Sequence, residues 1–240
     1  EEFYRAENGH AIGYFWGYKT AGIFQSQQDI NNWIAAGNGV LQSNVQPGDV
    51  KYVDVNHDGA INANDKVDLG NGLPKYTFGF NFTLGYKGFD LSANFTGAAG
   101  FQIAQSYRDP SGSQGNYSHR ILGRWTGEGT TNEMPRVTYG DVGNWLFSDL
   151  YLQDGDYIRL QNLTLGYDFK KLISWKGLSK LRLYFQVQNL FTLTKYDGMD
   201  PEIGSYNGTD GNSSDSWVSG VDMGYYPHPR TFIVGVNVAF

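Results

Sequence analysis

The sequence contains no cysteine, which removes disulfide frameworks and thiolate metal sites from consideration. No run of about 18 apolar residues occurs and the mean hydropathy is −0.45, so no membrane-spanning helix is expected. A membrane-spanning β-strand needs only about 9–11 residues, alternating apolar-out and polar-in, and is not excluded. Basic charge is scarce and scattered. The 18 Lys and Arg face 24 Asp and Glu, for a net charge of −6 and no nucleic-acid footprint. The opening EEFYRAENGH lacks a basic n-region and an apolar h-region, so no signal peptide is expected there. Either a presequence has been removed or residue 1 lies inside a longer chain. Enzymatic signatures are missing as well. His10, His57, His119 and His228 share no metal-ligand spacing, and there is no G-x-S-x-G elbow or P-loop. The carboxylate pairs Asp154/Asp156 and Asp200/Glu202 have the residue types of glycosidase acids, but within QDGDY and MDPEIG they read as turn residues. No enzyme is expected.

Aromatic residues and glycine are abundant: 16% Phe, Trp and Tyr, with 32 Gly and only 7 Pro. That mixture favours pleated strands separated by turns. Alternation of period two marks five strands, at 76–86, 89–101, 157–169, 181–191 and the final RTFIVGVNVAF. In YTFGFNFTLGY, Tyr76, Phe78, Phe80, Phe82, Leu84 and Tyr86 share one face, and Thr77, Gly79, Asn81, Thr83 and Gly85 share the other. In YIRLQNLTLGYDF the alternation is clean from Leu163 onward, and the residues before it are shifted by one, as a bulge or a strand end above the apolar zone produces. The opposite faces carry Asn, Thr, Gln, Asp90, Asp168 and Arg182 instead of the apolar residues of a second packed layer.

Connection lengths alternate strictly. Lys87-Gly88 and the 170–180 segment are short, whereas 102–156 and 192–230 are long and rich in Gly, Ser, Asn, Asp and aromatics. Outer-membrane barrels show this asymmetry, with tight periplasmic turns and long external loops. The sequence therefore predicts an all-β fold, a transmembrane antiparallel β-barrel wall of five strands. Its apolar stripes face lipid, and Tyr86, Phe89, Phe169 and Trp175 form part of an interfacial aromatic girdle. Residues 1–74 form an external region and 75–240 hold the strands. Five strands do not close a barrel, the smallest having about eight, so the remaining strands are expected upstream of Glu1. The competing architecture is a secreted, calcium-dependent, carbohydrate-binding β-sandwich, whose apolar faces would meet inside.

The segment DVNHDGAINAND has the spacing of a twelve-residue calcium loop. Asp54, Asn56 and Asp58 stand at the first, third and fifth places, Gly59 at the sixth, Ala60 at the seventh and Asn62 at the ninth. Asp65 closes the loop where an EF-hand has Glu, and no helical pattern flanks it. Two readings stand: a structural Ca2+ site, or an Asx-turn loop held by its own side chains. SQQDINNWIAAG begins like a capped short helix, with Ser26 followed three residues later by Asp29. Among the aromatics of the long loops, Trp125, Tyr139, Trp145, Tyr206 and Trp217 are the candidate substrate-binding residues, since flat rings beside polar groups suit sugar or peptide recognition.

The ordered set GYKTAGIFQS, GDVKYVDVNHDGAINANDKVDLGNGLPKYTFGFN, YKGFDLSANFTGAAG, RWTGEGTTNEMPR, DGDYIRLQNLTLGYDF, LRLYFQVQNLFTLTKYDGMDPE and YPHPRTFIVGVNVAF resembles the C-terminal part of SusC/RagA-type TonB-dependent transporters. The likeness covers essentially the whole chain. It implies an outer-membrane location in Bacteroidota and a 22-stranded barrel with a plug, of which this is the C-terminal portion. It further implies a SusD-like surface lipoprotein as partner, energy from the TonB complex, and glycan oligomers or peptides as cargo. The plug and the TonB box would lie upstream.

Overall fold

The computed structural model describes residues 2–42, 44–106, 119–138, 143–204 and 219–240. In chain order the elements are β1 (Tyr4–Arg5), β2 (Tyr14–Tyr18), β3 (Thr20–Ile23), α1 (Gln27–Ala35), β4 (Val50–Tyr52), β5 (Lys66–Asn71) and β6 (Tyr76–Tyr86). Then follow β7 (Phe89–Ala99), β8 (Gln102–Gln105), β9 (Leu152–Asp154), β10 (Tyr157–Asp168), β11 (Lys180–Thr194), β12 (Val221–Asp222) and β13 (Thr231–Ala239). The fold is mostly β, and no helix among the described residues is long and apolar enough to cross a membrane. Two compact units result. One comprises Glu1–Leu73, Gln102–Gln153 and Ile203–Gly224; the other comprises Pro74–Phe101, Asp154–Glu202 and Tyr225–Phe240.

The first unit has its own core. Phe15, Ala104 and Val221 are buried together, packed by Phe3, Tyr4, Leu69, Phe147 and Leu152. A second cluster joins Tyr18, Val50, Tyr52 and Ile61. Short sheets ordered β1-β2-β5, β12-β8-β9 and β3-β4 supply these side chains. Helix α1 starts as its sequence predicts: Ser26 is the N-cap, its Oγ accepting from the Asp29 N–H at 3.2 Å. Asp29 does not return the bond to Ser26. It reaches one residue further, to the Gln25 N–H at 2.9 Å, and pairs with Lys51 at 2.7 Å.

The second unit is one antiparallel sheet ordered β13-β11-β10-β7-β6, a single layer with consecutive strands side by side. All five strands were legible from period-two alternation. The β6–β7 hairpin turns on Lys87 and Gly88, with φ of 46° and 99°. Positive φ at both places is the type I′ geometry that matches strand twist, and glycine suits the second place. The shift read near Leu163 is a real irregularity: the β10 register slips between Leu160 and Asn162 against both neighbours.

One face of this sheet is apolar and uncovered. Phe80 is 59% exposed, and Phe78, Phe185 and Val236 are 45%, 44% and 58% exposed. In a β-sandwich those three would interlock in the core; here they do not. Aromatics gather at the edge of the short turns, where Phe89 meets Tyr167 (4.4 Å), Tyr167 meets Phe169 (4.9 Å) and Trp175 meets Phe240 (6.1 Å).

Candidate functional site

The polar face of the sheet is held by ion pairs. Arg182 on β11 reaches across β10 to Asp90 on β7, its Nε donating to Oδ1 at 2.8 Å. Gly166 lies beneath this bridge. A Cβ there would stand 2.5 Å from Asp90 Oδ1 and 2.6 Å from Arg182 Nε, so only glycine leaves the space. Asp168, expected on the same polar face, serves as a cap instead: it accepts from the Lys170 N–H at 2.9 Å and starts the 3-10 turn Phe169–Lys171.

A second charged group stands nearer the other end. Arg159 on β10 is 3% exposed. Its Nε donates to Thr192 Oγ1 (2.9 Å), Nη1 to Glu202 (2.8 Å) and Nη2 to Asp200 (2.5 Å). Asp200 also accepts from the N–H of Glu202 (2.9 Å) and of His228 (3.1 Å), and His228 Nδ1 lies 3.0 Å from its Oδ2. Burial alone pushes the Asp200 carboxyl up, but these donors outweigh it and hold it below the usual carboxylate range. Asp200 and Glu202 are thus neither plain turn residues nor an unpaired acid couple. The sequence reading missed their pairing because Arg159 is 41 residues from Asp200 and 43 from Glu202. An arginine inside an apolar-alternating strand was the available signal.

The 54–65 loop is built around Asp54 and Asp65, which are 2% and 0% exposed. Asp54 accepts from the N–H of Asp58 (3.2 Å) and of Gly59 (2.7 Å), Asn56 from Asp58 (2.9 Å), and Asp58 from Ala60 (2.9 Å). Asn62 and Asp65 form a capping box around the turn Ala63–Asp65, and Asp65 also takes the Val55 N–H at 3.0 Å. Ile61 anchors the loop in the core. This oxygen-only donor set has the chemistry of a hard cation, and Asp54, Asn56 and Asp58 are presented in the order a calcium loop requires. Asp65 is the departure, with both oxygens committed to the N–H groups of Val55 and Asn62. Among the described residues, the three-member acid and histidine cluster with ligand atoms within 4.8 Å of one another is Asp200, Glu202 and His228.

The aromatic candidates part company. Trp145 is 6% exposed and lines a cavity of about 350 Å³ with Phe3, Phe147, Tyr151, Val221 and Met223. Trp125 is not among that cavity's walls; its Nε1 donates to Gln25 Oε1 at 3.2 Å. Tyr139, Tyr206 and Trp217 lie outside the described residues.

The sheet is a single antiparallel layer, apolar on one side and ion-paired on the other. No family model matches the chain. It is 34% identical over 97% of its length to the TonB-dependent receptor P3 of Formosa agariphila, covering 22% of that protein. It is 27% identical over 84% of its length to the TonB-dependent receptor SusC of Bacteroides thetaiotaomicron, covering 18% of it. The fold matches a solved structure of the RagAB peptide transporter with a TM-score of 0.65 at 20% identity, over 99% of this chain and 24% of that one. The chain is thus similar to TonB-dependent receptors, SusC among them, shares the fold of part of the RagAB transporter, and spans about a fifth to a quarter of the length of the proteins it matches.

Proposed function

We propose that the five-stranded sheet is a stretch of barrel wall in an outer-membrane TonB-dependent importer, and that this segment serves transport and not catalysis. The observation that carries this reading is the uncovered apolar face. Its Phe, Leu and Val side chains are exposed in every strand, while the reverse face is bridged by Asp90 and Arg182. Lipid is the solvent that makes such a face favourable, and a wet lumen suits the other. The secreted β-sandwich reading lacks the second layer it needs. The remaining strands, the plug, a SusD-like lipoprotein over the external loops and the TonB complex complete the machine in this reading, with oligosaccharides or oligopeptides as cargo. Trp125, Tyr139, Trp145, Tyr206 and Trp217 belong to its recognition region, and the 54–65 loop takes a structural Ca2+ held by Asp54, Asn56, Asp58, the Ala60 carbonyl, Asn62 and Asp65.

Single-cysteine nitroxide scanning of residues 77–83 in the complete polypeptide, reconstituted in bilayers, tests the wall. Labels at Phe78, Phe80 and Phe82 should collide with oxygen, and labels at Thr77, Gly79, Asn81 and Thr83 with a water-soluble nickel chelate. Uniform contact with the chelate, or an inverted pattern, refutes it.

A further inference from the structure

The Arg159 group has no part in the wall's two-solvent design, yet it is among the most elaborately bonded groups in the sheet. Its register partners are Thr96 and Thr192, so it belongs to the polar side. The backbone pairing explains why side chains are needed there. Strand β11 pairs with β10 up to Tyr157↔Thr194, but with β13 only up to Gln188↔Thr231. Beyond Gln188, β11 continues without a β13 ladder partner among the described residues, and side-chain bonds replace the ladder. Asn189, at a φ of 52°, donates from Nδ2 to the Pro229 carbonyl at 3.1 Å. Arg159 reaches past Thr192 to Asp200, and Asp200 receives both the backbone and the ring of His228.

The chain therefore departs after β11 and returns before β13 through one point. Asp200 and His228 are 28 residues apart, and joining them closes everything between. Ionised, buried, multiply bonded groups are the strong kind of hydrogen bond, and the planar guanidinium fork serves two carboxylates at once. Glu202 is the looser leg, with its side chain 49% exposed against 7% for Asp200. Asp200, Glu202 and His228 also lie within metal-ligand reach of one another, but the cation that already pairs with both carboxylates is Arg159.

We propose that Arg159, Asp200 and His228 form a clasp that fixes both roots of the 195–230 connection to the wall. The clasp takes over from the backbone ladder in controlling how far those roots and the first residues of β13 can move. In the importer reading, it would set where that connection stands during cargo capture. The clasp itself is a claim about motion, and its test needs no cargo.

The experiment is hydrogen–deuterium exchange on the complete polypeptide in detergent micelles, comparing the native protein with Asp200→Asn and Arg159→Met. Amides at 196–202 and 228–233 should exchange about tenfold faster or more in both variants, while those at 163–168 and 181–187 keep their native rates. Arg159→Lys should not restore protection, because a compact ammonium lacks the planar fork that reaches Thr192, Asp200 and Glu202 from three separate nitrogens. Unchanged exchange at the two roots overturns the proposal, and so does uniform acceleration across the sheet. Should Asp200→Asn fail to assemble, His228→Phe removes only the outer leg, and the same regional contrast decides. Uptake of cargo is measured separately, so either idea can fail while the other survives.

Discussion

Placing a positive charge at the centre of the apolar face asks directly what that face touches. Strand β6 has 11 residues. At a rise of roughly 3.3 Å per residue it is roughly 36 Å long, and a tilt near 40° reduces its height to roughly 28 Å. That is close to the apolar band of about 25 Å in outer-membrane barrels. Phe80 lies near the middle, opposite Phe95 with ring centroids 6.3 Å apart, whereas Tyr86 lies at the end. Phe80→Arg should therefore cost about 2–4 kcal/mol for the charge at midplane, plus about 0.5–1.5 kcal/mol for the lost ring pair. Tyr86→Arg should cost about 0–1 kcal/mol, because the charge can reach the interface. Thr83→Arg, on the polar face, is the control for charge alone and should be tolerated better than Phe80→Arg. Urea-dependent folding of the complete polypeptide into lipid vesicles gives all three values. Equal losses for Phe80→Arg and Thr83→Arg would refute the assigned facing, and a loss at Tyr86 as large as at Phe80 would refute the depth argument.

Gly166→Ala should destabilise the sheet by about 1–3 kcal/mol, since its Cβ would displace the Asp90–Arg182 bridge; adding Arg182→Ala should then cost little more in thermal melting, and full additivity would contradict this. Titration calorimetry with Ca2+ should give heat for the native chain and none for Asp54→Ala. The absence of heat from the native chain would leave the loop held by its own bonds alone. Even without metal, Asp54→Ala strands the Gly59 N–H and leaves the Asp58 N–H to Asn56 alone, and should loosen the loop by about 1–3 kcal/mol in limited proteolysis. The Asp200 carboxyl is depressed, so its stabilising contribution is complete above the ordinary value near ~3.9 and is lost as pH falls below it. Protection at 196–202, taken against the intrinsic amide rate at each pH, should accordingly fall only in strong acid, and a fall on going from pH 7 to 5 would show that Asp200 is not the group that holds it.

Much of the wall was legible because each residue's facing is set locally. Alternation from Tyr76 to Tyr86 names a face without knowledge of any partner, and even the slip beside Leu163 left its mark in the order of side chains. The 54–65 loop was legible for the same reason, its acceptors and donors lying within about a dozen residues. What escaped depends on distance along the chain. Asp49, Arg136 and Asn144 meet in the first unit (Arg136 Nε to Asp49 Oδ1, 2.6 Å; Asn144 Nδ2 to Asp49 Oδ1, 2.9 Å), and no local pattern announces it. Trp145 reads as a loop aromatic, yet tertiary packing buries it beside Tyr151. Asp200 and Glu202 take their meaning only from Arg159.

The tight reversal at Lys87 and Gly88 bears on the order of assembly. Strands β6 and β7 are neighbours after two residues and β10 and β11 after a short turn, but β7 must wait for the whole of 100–156 before meeting β10. Closure entropy grows by about 0.6 kcal/mol per doubling, so the wider seam starts roughly 3 kcal/mol behind the narrow one. Hairpins close in about 1–10 μs. The sheet should therefore arrive as two ready-made ribbons, β6 with β7 and β10 with β11, before its wider seams close.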